Sequence, residues 1–345
     1  MTPDPTTTAT AARRGVIVSG HWIVDRLKVI DTYPSEESLA VISSEARANG
    51  GGAFNVAKDL ALMNTGVSVS GIGLLGDDED GRWTLAECAR HGIGTRQLRL
   101  LAGTPTSYTD VFTVSGSGRR TFFTMPGACA KLDEDAFDFT DTTVSGAKIF
   151  YLGYLGMLDG LGARAARVLE RAAAAGLRTA ADLVSISGDF GATVRPCLPW
   201  VDYFFANDLE AERLTGVTIS GLRGAALADA LTVAARRLVS DSGVRGLCVL
   251  HTPEGAVAVA RDGAVCRQGS ARVAPESIKG TNGCGDAFAA GCLFALHEDW
   301  PLPAALELGI SAAARCLLSA ASSAALTDWR QCLQEARALG FRTDF

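Results

Sequence analysis

The 345-residue chain is 48% hydrophobic and 20% charged, a globular balance that excludes disordered, collagen-like and coiled-coil architectures and leaves one large domain or two modest ones. Its net charge of −6, with 32 Lys and Arg scattered along the chain, supplies no basic stripe for a nucleic acid or an anionic membrane. Nine cysteines, an odd number without CxxC spacing and several of them in apolar runs, point to buried thiols in a reducing compartment rather than to disulfides or structural zinc.

Residues 1–14, MTPDPTTTATAARR, lack the apolar region of a signal peptide and read as a disordered tail. No window reaches the roughly 18 consecutive apolar residues of a membrane span, so a cytoplasmic protein is expected. Residues 15–19 read as a first strand, and the stretch from about 21 to 48 is irregular, with short alternations, up to Asn49-Gly50-Gly51-Gly52. A helix is expected from Asn55 to a stop at Asn64 and Gly66, then a strand over 67–76 and a helix over 81–92. Residues 107–114 and 119–125 look like paired strands around the turn 115–118.

The remainder alternates more regularly. Strands at 147–155, 177–184, 200–207 and 246–252 are interleaved with helices at 161–175 and 225–240. Residues 257–266 read as a hairpin turning at Asp262-Gly263, and Ala/Leu-rich helices follow at about 286–297 and 303–320. This alternation predicts a mostly parallel sheet covered on both faces, with the short strands near 21–48 and 104–126 forming a small β lid at one edge.

The segment Gly280-Thr281-Asn282-Gly283-Cys284-Gly285-Asp286 opens directly into a helix. Such a turn presents backbone N–H groups and the positive end of the helix dipole to an anion. An aspartate at that mouth repels an anion unless it works as a base, taking a proton from a hydroxyl while the N–H groups hold the phosphoryl group in transfer. Read alone, Asp286 fits a helix N-cap equally well. A second Gly-rich turn, Gly50-Gly51-Gly52-Ala53-Phe54-Asn55, also enters a helix and sets the amide of Asn55 at its start. Asp25 reads by default as a turn or capping carboxylate. Asn207-Asp208-Leu209-Glu210 closes a strand, where its carboxylates either hold a water-shelled Mg²⁺ or serve as first-turn helix acids. His21, His91, His251 and His297 have no spacing that suggests a metal site or a triad.

Taken in order, these segments resemble the ribokinase/PfkB family of carbohydrate kinases: residues 50–81 (GGGAFNVAKDLALMNTGVSVSGIGLLGDDEDG, with Gly76, Asp78 and Gly81), residues 207–216 (NDLEAERLTG) and residues 279–291 (KGTNGCGDAFAAG). The resemblance spans about residues 15–325 and implies a ribokinase-like three-layer α/β/α sandwich with a mostly parallel central sheet and a β lid, one kinase domain over 15–345. It implies ATP-dependent phosphorylation of a hydroxyl on a sugar, with a nucleoside acceptor or a non-catalytic nucleotide or sugar sensor as the alternatives. Asp286 would be the catalytic base, the backbone of Gly283, Cys284 and Gly285 the anion hole, and Asp25, Gly50, Gly51 and Asn55 the grip on the acceptor. Asn207, Glu210, Thr252, Gly255 and Ser311 would face the nucleotide, Glu210 ordering Mg²⁺ through water, and relatives suggest a homodimer through the lid.

Several residues depart from the family pattern. Gly280 stands where an aspartate that helps bind a monovalent cation is expected, so potassium activation is not expected and the ammonium of Lys279 is a substitute source of charge. Ile23, preceded by Trp22, replaces an acceptor-binding Asn, and Cys129 ends the lid, so with Tyr154 the acceptor pocket is expected to be more apolar than a ribose site. Thr252 replaces a glycine of the nucleotide loop. Arg119 and Arg120 read as solvated turn residues, or as cations closing over a charged acceptor.

Overall fold

In chain order the strands are β1 (Val16–Ser19), β2 (Ile23–Ile30), β3 (Ile42–Gly50), β4 (Val69–Gly76), β5 (Gly94–Leu101), β6 (Tyr108–Val114), β7 (Arg120–Met125), β8 (Ile149–Leu152), β9 (Arg178–Ala181), β10 (Tyr203–Asn207), β11 (Leu247–Thr252), β12 (Gly255–Ala260) and β13 (Val265–Gly269). Nine of them form one sheet, in the order β13-β12-β11-β10-β9-β8-β1-β4-β5, parallel from β11 through β5 and closed at the other edge by the antiparallel β12 and β13. The computed structural model describes residues 13–186, 188–319 and 324–345; the expected tail lies, but for its last two residues, outside them.

Side chains alternate across the parallel strands, so each strand feeds two apolar layers. Ile17, Phe150 and Phe204 point to one face, beneath the helices Ala165–Ala174 and Gly224–Ser240. Val16, Val18, Ile149 and Phe205 point to the other, beneath Gly52–Leu62, Cys284–His297 and Leu302–Cys316. The result is the expected three-layer α/β/α sandwich. No helix among the described residues is long and apolar enough to cross a membrane, and all nine cysteines are free thiols.

The remaining strands form the lid, a separate sheet in the order β3-β2-β6-β7. Asp78 anchors it. Its carboxylate accepts from the N–H (2.7 Å) and hydroxyl (2.6 Å) of Thr106, just before β6, while capping the helix Glu79–Arg90 through the N–H of Gly81 (2.8 Å). Arg26 of β2 and Arg47 of β3 reach Asp80 at 2.9 and 3.0 Å, tying the lid strands to the same helix turn. The second half of the first motif thus serves architecture.

Some elements differ from the sequence reading. The stretch read as irregular holds the long strands β2 and β3, and β5 was not foreseen. Charged edge and lid strands such as β5 (Gly94–Leu101), with Arg96 and Arg99, show little apolar alternation because only one side of them meets the core. The first helix begins at Gly52, earlier than Asn55, because a positive φ at Gly51 turns the chain directly into it. The last Ala/Leu helix ends at Cys316 in a tight turn through Ser319, short of the expected 320, which lies outside the described residues. A further helix, Trp329–Leu339, was not foreseen.

Candidate active site

The glycine turns do the local work. Gly283 adopts φ +77° and starts the helix Cys284–His297 with no side-chain cap; the Cys284 N–H donates over a long 3.4 Å to the Thr281 carbonyl, and Cys284 and Gly285 stand in the wall of the adjacent cleft. Asp286 follows inside the first turn, buried and only 4% exposed. Its Oδ2 accepts from Asn55 Nδ2 at 2.8 Å and from the hydroxyl of Tyr154 at 3.1 Å. Asn55 comes from the helix opened by Gly51, and its Oδ1 is buried with no hydrogen-bond partner.

Asp25 lies within β2, paired with Ala48 and Thr109, which corrects its reading as a turn carboxylate. Gly50 packs so closely on it that a Cβ there would fall 2.4 Å from Asp25 Oδ2. The two motifs and the lid therefore converge on two carboxylates, Asp25 and Asp286, with Asn55 and Tyr154 around them.

Burial dominates the electrostatics. It pushes Asp286 up to about 6 against the hydrogen bonds from Asn55 and Tyr154, which pull it down. Asp25 is pushed up to about 7 by burial and then by the negative charge of Asp286. Asp182, at the end of β9, is raised well above the carboxylate range by burial and by Asp286, even though it accepts the N–H of Tyr154. Three acids thus share one low-dielectric site, which resists holding all of their charges at once.

A stability consequence follows for Asp25. Its folded-state value of about 7 exceeds the ordinary 3.8, so folding loses stability as pH rises from about 4, and the penalty is complete above 7. Asp25→Asn removes that penalty. Its thermal midpoint is expected to exceed the wild type's by about 6 °C at pH 8 and to come within about 1 °C of it near pH 4. A melting series over this range checks it, and an equal or lower midpoint at pH 8 would contradict it.

Beside the Gly-rich turn 280–286 lies a cleft of about 560 Å³, walled by Asn207, Asp208, His251, Thr252, Cys284, Gly285 and Phe288 among others. Burial drives His251 down to about 4, so a neutral imidazole faces this cleft next to Gly285. Asn207 ends β10 and caps the following helix in a reciprocal box: its Oδ1 accepts from the Glu210 N–H, and Glu210 Oε2 accepts from the Asn207 N–H, both at 2.9 Å. Glu210 Oε1 also accepts from Ser185 at 3.0 Å.

The sequence-predicted residues are therefore not all in one place. Asp286, Gly283, Cys284, Gly285, Asn55, Asp25, Gly50 and Gly51 gather at one end, and Asn207 and Thr252 line the cleft. Glu210 is buried behind Asn207. Gly255 sits under the ring of Phe345, and Ser311 is fully buried with its hydroxyl donated to the Glu307 carbonyl at 2.7 Å. Neither of these two lines the cleft.

The expected apolar acceptor pocket needs correction. Trp22 is fully buried in the core, its Nε1 donating to the Ile72 carbonyl at 3.1 Å, and the fully buried Cys129 thiol sits beside its backbone. Of the four residues, Tyr154 alone brings a polar atom to Asp286. Arg119 is exposed at the lid turn, Arg120 opens β7 half-buried, and Lys279 is exposed ahead of the Gly-rich turn. Tyr154, Asp182 and His251 had a legible signal in part: each stands at the C-terminal end of a parallel strand, the edge where open α/β sheets bind ligands.

A parallel sheet covered on both faces, a β lid and an uncapped Gly-rich helix start beside a buried aspartate define a ribokinase-like fold. The structure of Arabidopsis thaliana ribokinase complexed with ribose and ATP matches it with a TM-score of 0.79 at 20% identity, over 96% of this chain and 100% of that one. Ribokinase from Cryptococcus neoformans var. grubii in complex with ADP matches at 0.77 and 16%, over 93% and 99%. Burkholderia thailandensis nucleoside kinase in complex with inosine matches at 0.70 and 19%, over 95% and 98%.

The pfkB family carbohydrate kinase pattern matches residues 16–329, and the chain belongs to that family, whose members are phosphotransferases with an alcohol acceptor. A curated relative, 5-dehydro-2-deoxygluconokinase of Geobacillus kaustophilus (strain HTA426), is 31% identical over 86 residues, a match spanning 25% of this chain and 25% of that protein.

Proposed function

We propose that this protein is an ATP-dependent kinase for a hydroxyl of a sugar or sugar-like small molecule. The observation that carries the reading is the placement of Asp286: a buried carboxylate, held by Asn55, in the first turn of an uncapped helix whose N–H groups face a nucleotide-sized cleft. The acceptor hydroxyl gives its proton to Asp286 as its oxygen attacks the γ-phosphorus of ATP. The backbone N–H groups of Gly283, Cys284 and Gly285 stabilise the charge that develops on the phosphoryl oxygens. Asp25 and the unpartnered Oδ1 of Asn55 accept hydrogen bonds from the acceptor's other hydroxyls, a polar lining that favours a sugar.

Mg²⁺, which enters with the ATP phosphates and keeps most of its waters, supplies charge neutralisation. No group of three or more His, Cys, Asp or Glu among the described residues forms a direct cage, and both oxygens of Glu210 are already engaged. Asp208, on the cleft wall, with Asn207 beside it, fits a water-mediated role better, and Glu210 acts by holding Asn207 in place. Gly280 supports activity without potassium. A second copy meeting the lid is part of this reading, supported by the exposure of Leu39, Val41, Phe122 and Phe123 there.

The test is ADP release with Mg·ATP across ketoses, aldoses, sugar acids, sugar phosphates and nucleosides. Acceptor-dependent turnover with one sugar class upholds the reading. Turnover with nucleosides alone would replace the acceptor class, and tight ATP or sugar binding without turnover would favour a sensor. The pH profile follows from the base: with Asp286 near 6, kcat/KM should fall about tenfold per pH unit below that value and level off above it. A profile flat down to pH 4.5 would remove Asp286 from that role.

A further inference from the structure

Tyr154 lies outside every motif, yet its geometry is the most constrained in the site. Its backbone is left-handed, φ 57° and ψ 45°, a conformation that an aromatic residue adopts only when its surroundings impose it. Asp182 imposes it from the end of β9: its Oδ1 accepts the Tyr154 N–H at 2.7 Å, and its carbonyl accepts the Leu155 N–H at 3.0 Å. Gly52 makes room for the ring, since a Cβ there would fall 2.8 Å from Tyr154 Cδ1. The phenol so placed donates to Oδ2 of Asp286 at 3.1 Å, the oxygen that Asn55 already reaches at 2.8 Å. No group among the described residues donates to Oδ1.

We propose that Tyr154 is a positioning residue: together with Asn55 it holds Oδ2 of Asp286 and so leaves Oδ1 as the oxygen that takes the acceptor's proton. The assignment rests on the kinase reading above. In the step, the acceptor O–H bond breaks and its proton goes to Oδ1. The freed electron pair forms the bond to the γ-phosphorus, and the bond from that phosphorus to its bridging oxygen breaks with its electrons leaving on ADP.

The groups that face Asp286 are Asp25 from β2, Asp182 from β9, Tyr151 from β8, Tyr154 itself and Cys284 on the same helix, with Asp59 of the helix Gly52–Leu62 acting on Cys284. Against these acids and weak acids, Tyr154 and Asn55 are the donors to the ionised form. Deleting one should make that form harder to reach.

The experiment reads the Asp286 carboxyl by ¹³C NMR in aspartate-labelled protein without substrate, assigned with Asp286→Asn. In Tyr154→Phe the Asp286 midpoint should rise by about half a pH unit or more, and the acid limb of kcat/KM should rise with it. Gly52→Ala, which keeps the phenol but crowds the ring, should shift the midpoint in the same direction. An unshifted midpoint in Tyr154→Phe overturns the role of Tyr154, whether or not the enzyme turns over. A shifted midpoint in a protein with no acceptor-dependent turnover overturns the kinase reading, and the proton transfer with it.

Discussion

Asp286→Asn is expected to lower kcat by about 10³-fold, within the range by which a positioned general base accelerates a reaction. The substitution is isosteric, and the amide oxygen of the new residue remains able to accept from Asn55, whose Nδ2 lies 2.8 Å from Asp286 Oδ2. What it removes is the basic oxygen and a buried negative charge. Binding of ATP in the neighbouring cleft is expected to stay within about threefold, because that binding depends on backbone N–H groups and cleft walls rather than on the carboxylate. Turnover and nucleotide affinity, measured side by side, separate the two effects. Residual activity within tenfold of the wild type would show that proton removal is not this residue's task.

Gly51→Ala is expected to cost about 3 kcal/mol of stability, which in a chain of this size lowers the thermal midpoint by about 4 °C. Gly51 precedes the helix Gly52–Leu62 with φ +86° and ψ 143°, a region closed to side chains. A Cβ there would also lie 2.3 Å from the carbonyl oxygen of His21, backbone that cannot swing aside. Relief requires moving the helix start, and with it Asn55, whose N–H donates to the Gly51 carbonyl at 2.9 Å. Turnover should therefore fall together with stability, by about tenfold or more, since a displacement of about 1 Å can cost about a hundredfold in a positioned site. A midpoint within 1 °C of the wild type would show that the turn tolerates a side chain.

Local physics was readable without coordinates. A glycine turn feeding an apolar helix says what its backbone does wherever the chain folds, so the segment 280–286 and the turn at 50–55 could be picked out as helix starts and residues 207–210 placed at the end of a parallel strand, while the cap made by Asn207 emerged only in the fold. The alternation of apolar strands and helices likewise determined the three-layer class, because burial on both faces of a sheet leaves its mark in the inner strands. The lid strands carried no such mark, β2 being half-buried over most of its length and β3 largely exposed.

Tertiary structure alone decided which distant residues meet. Asn55 and Asp286 are 231 residues apart, and Tyr154 and Asp286 are 132 apart. Trp22, equally compatible in sequence with a pocket wall, went to the core, where its Nε1 found the Ile72 carbonyl. The shifts of Asp25 to about 7 and of Asp286 to about 6 belong to this second level. They arise from the water that packing excludes and from the charges it brings together, quantities that no single segment of the chain contains.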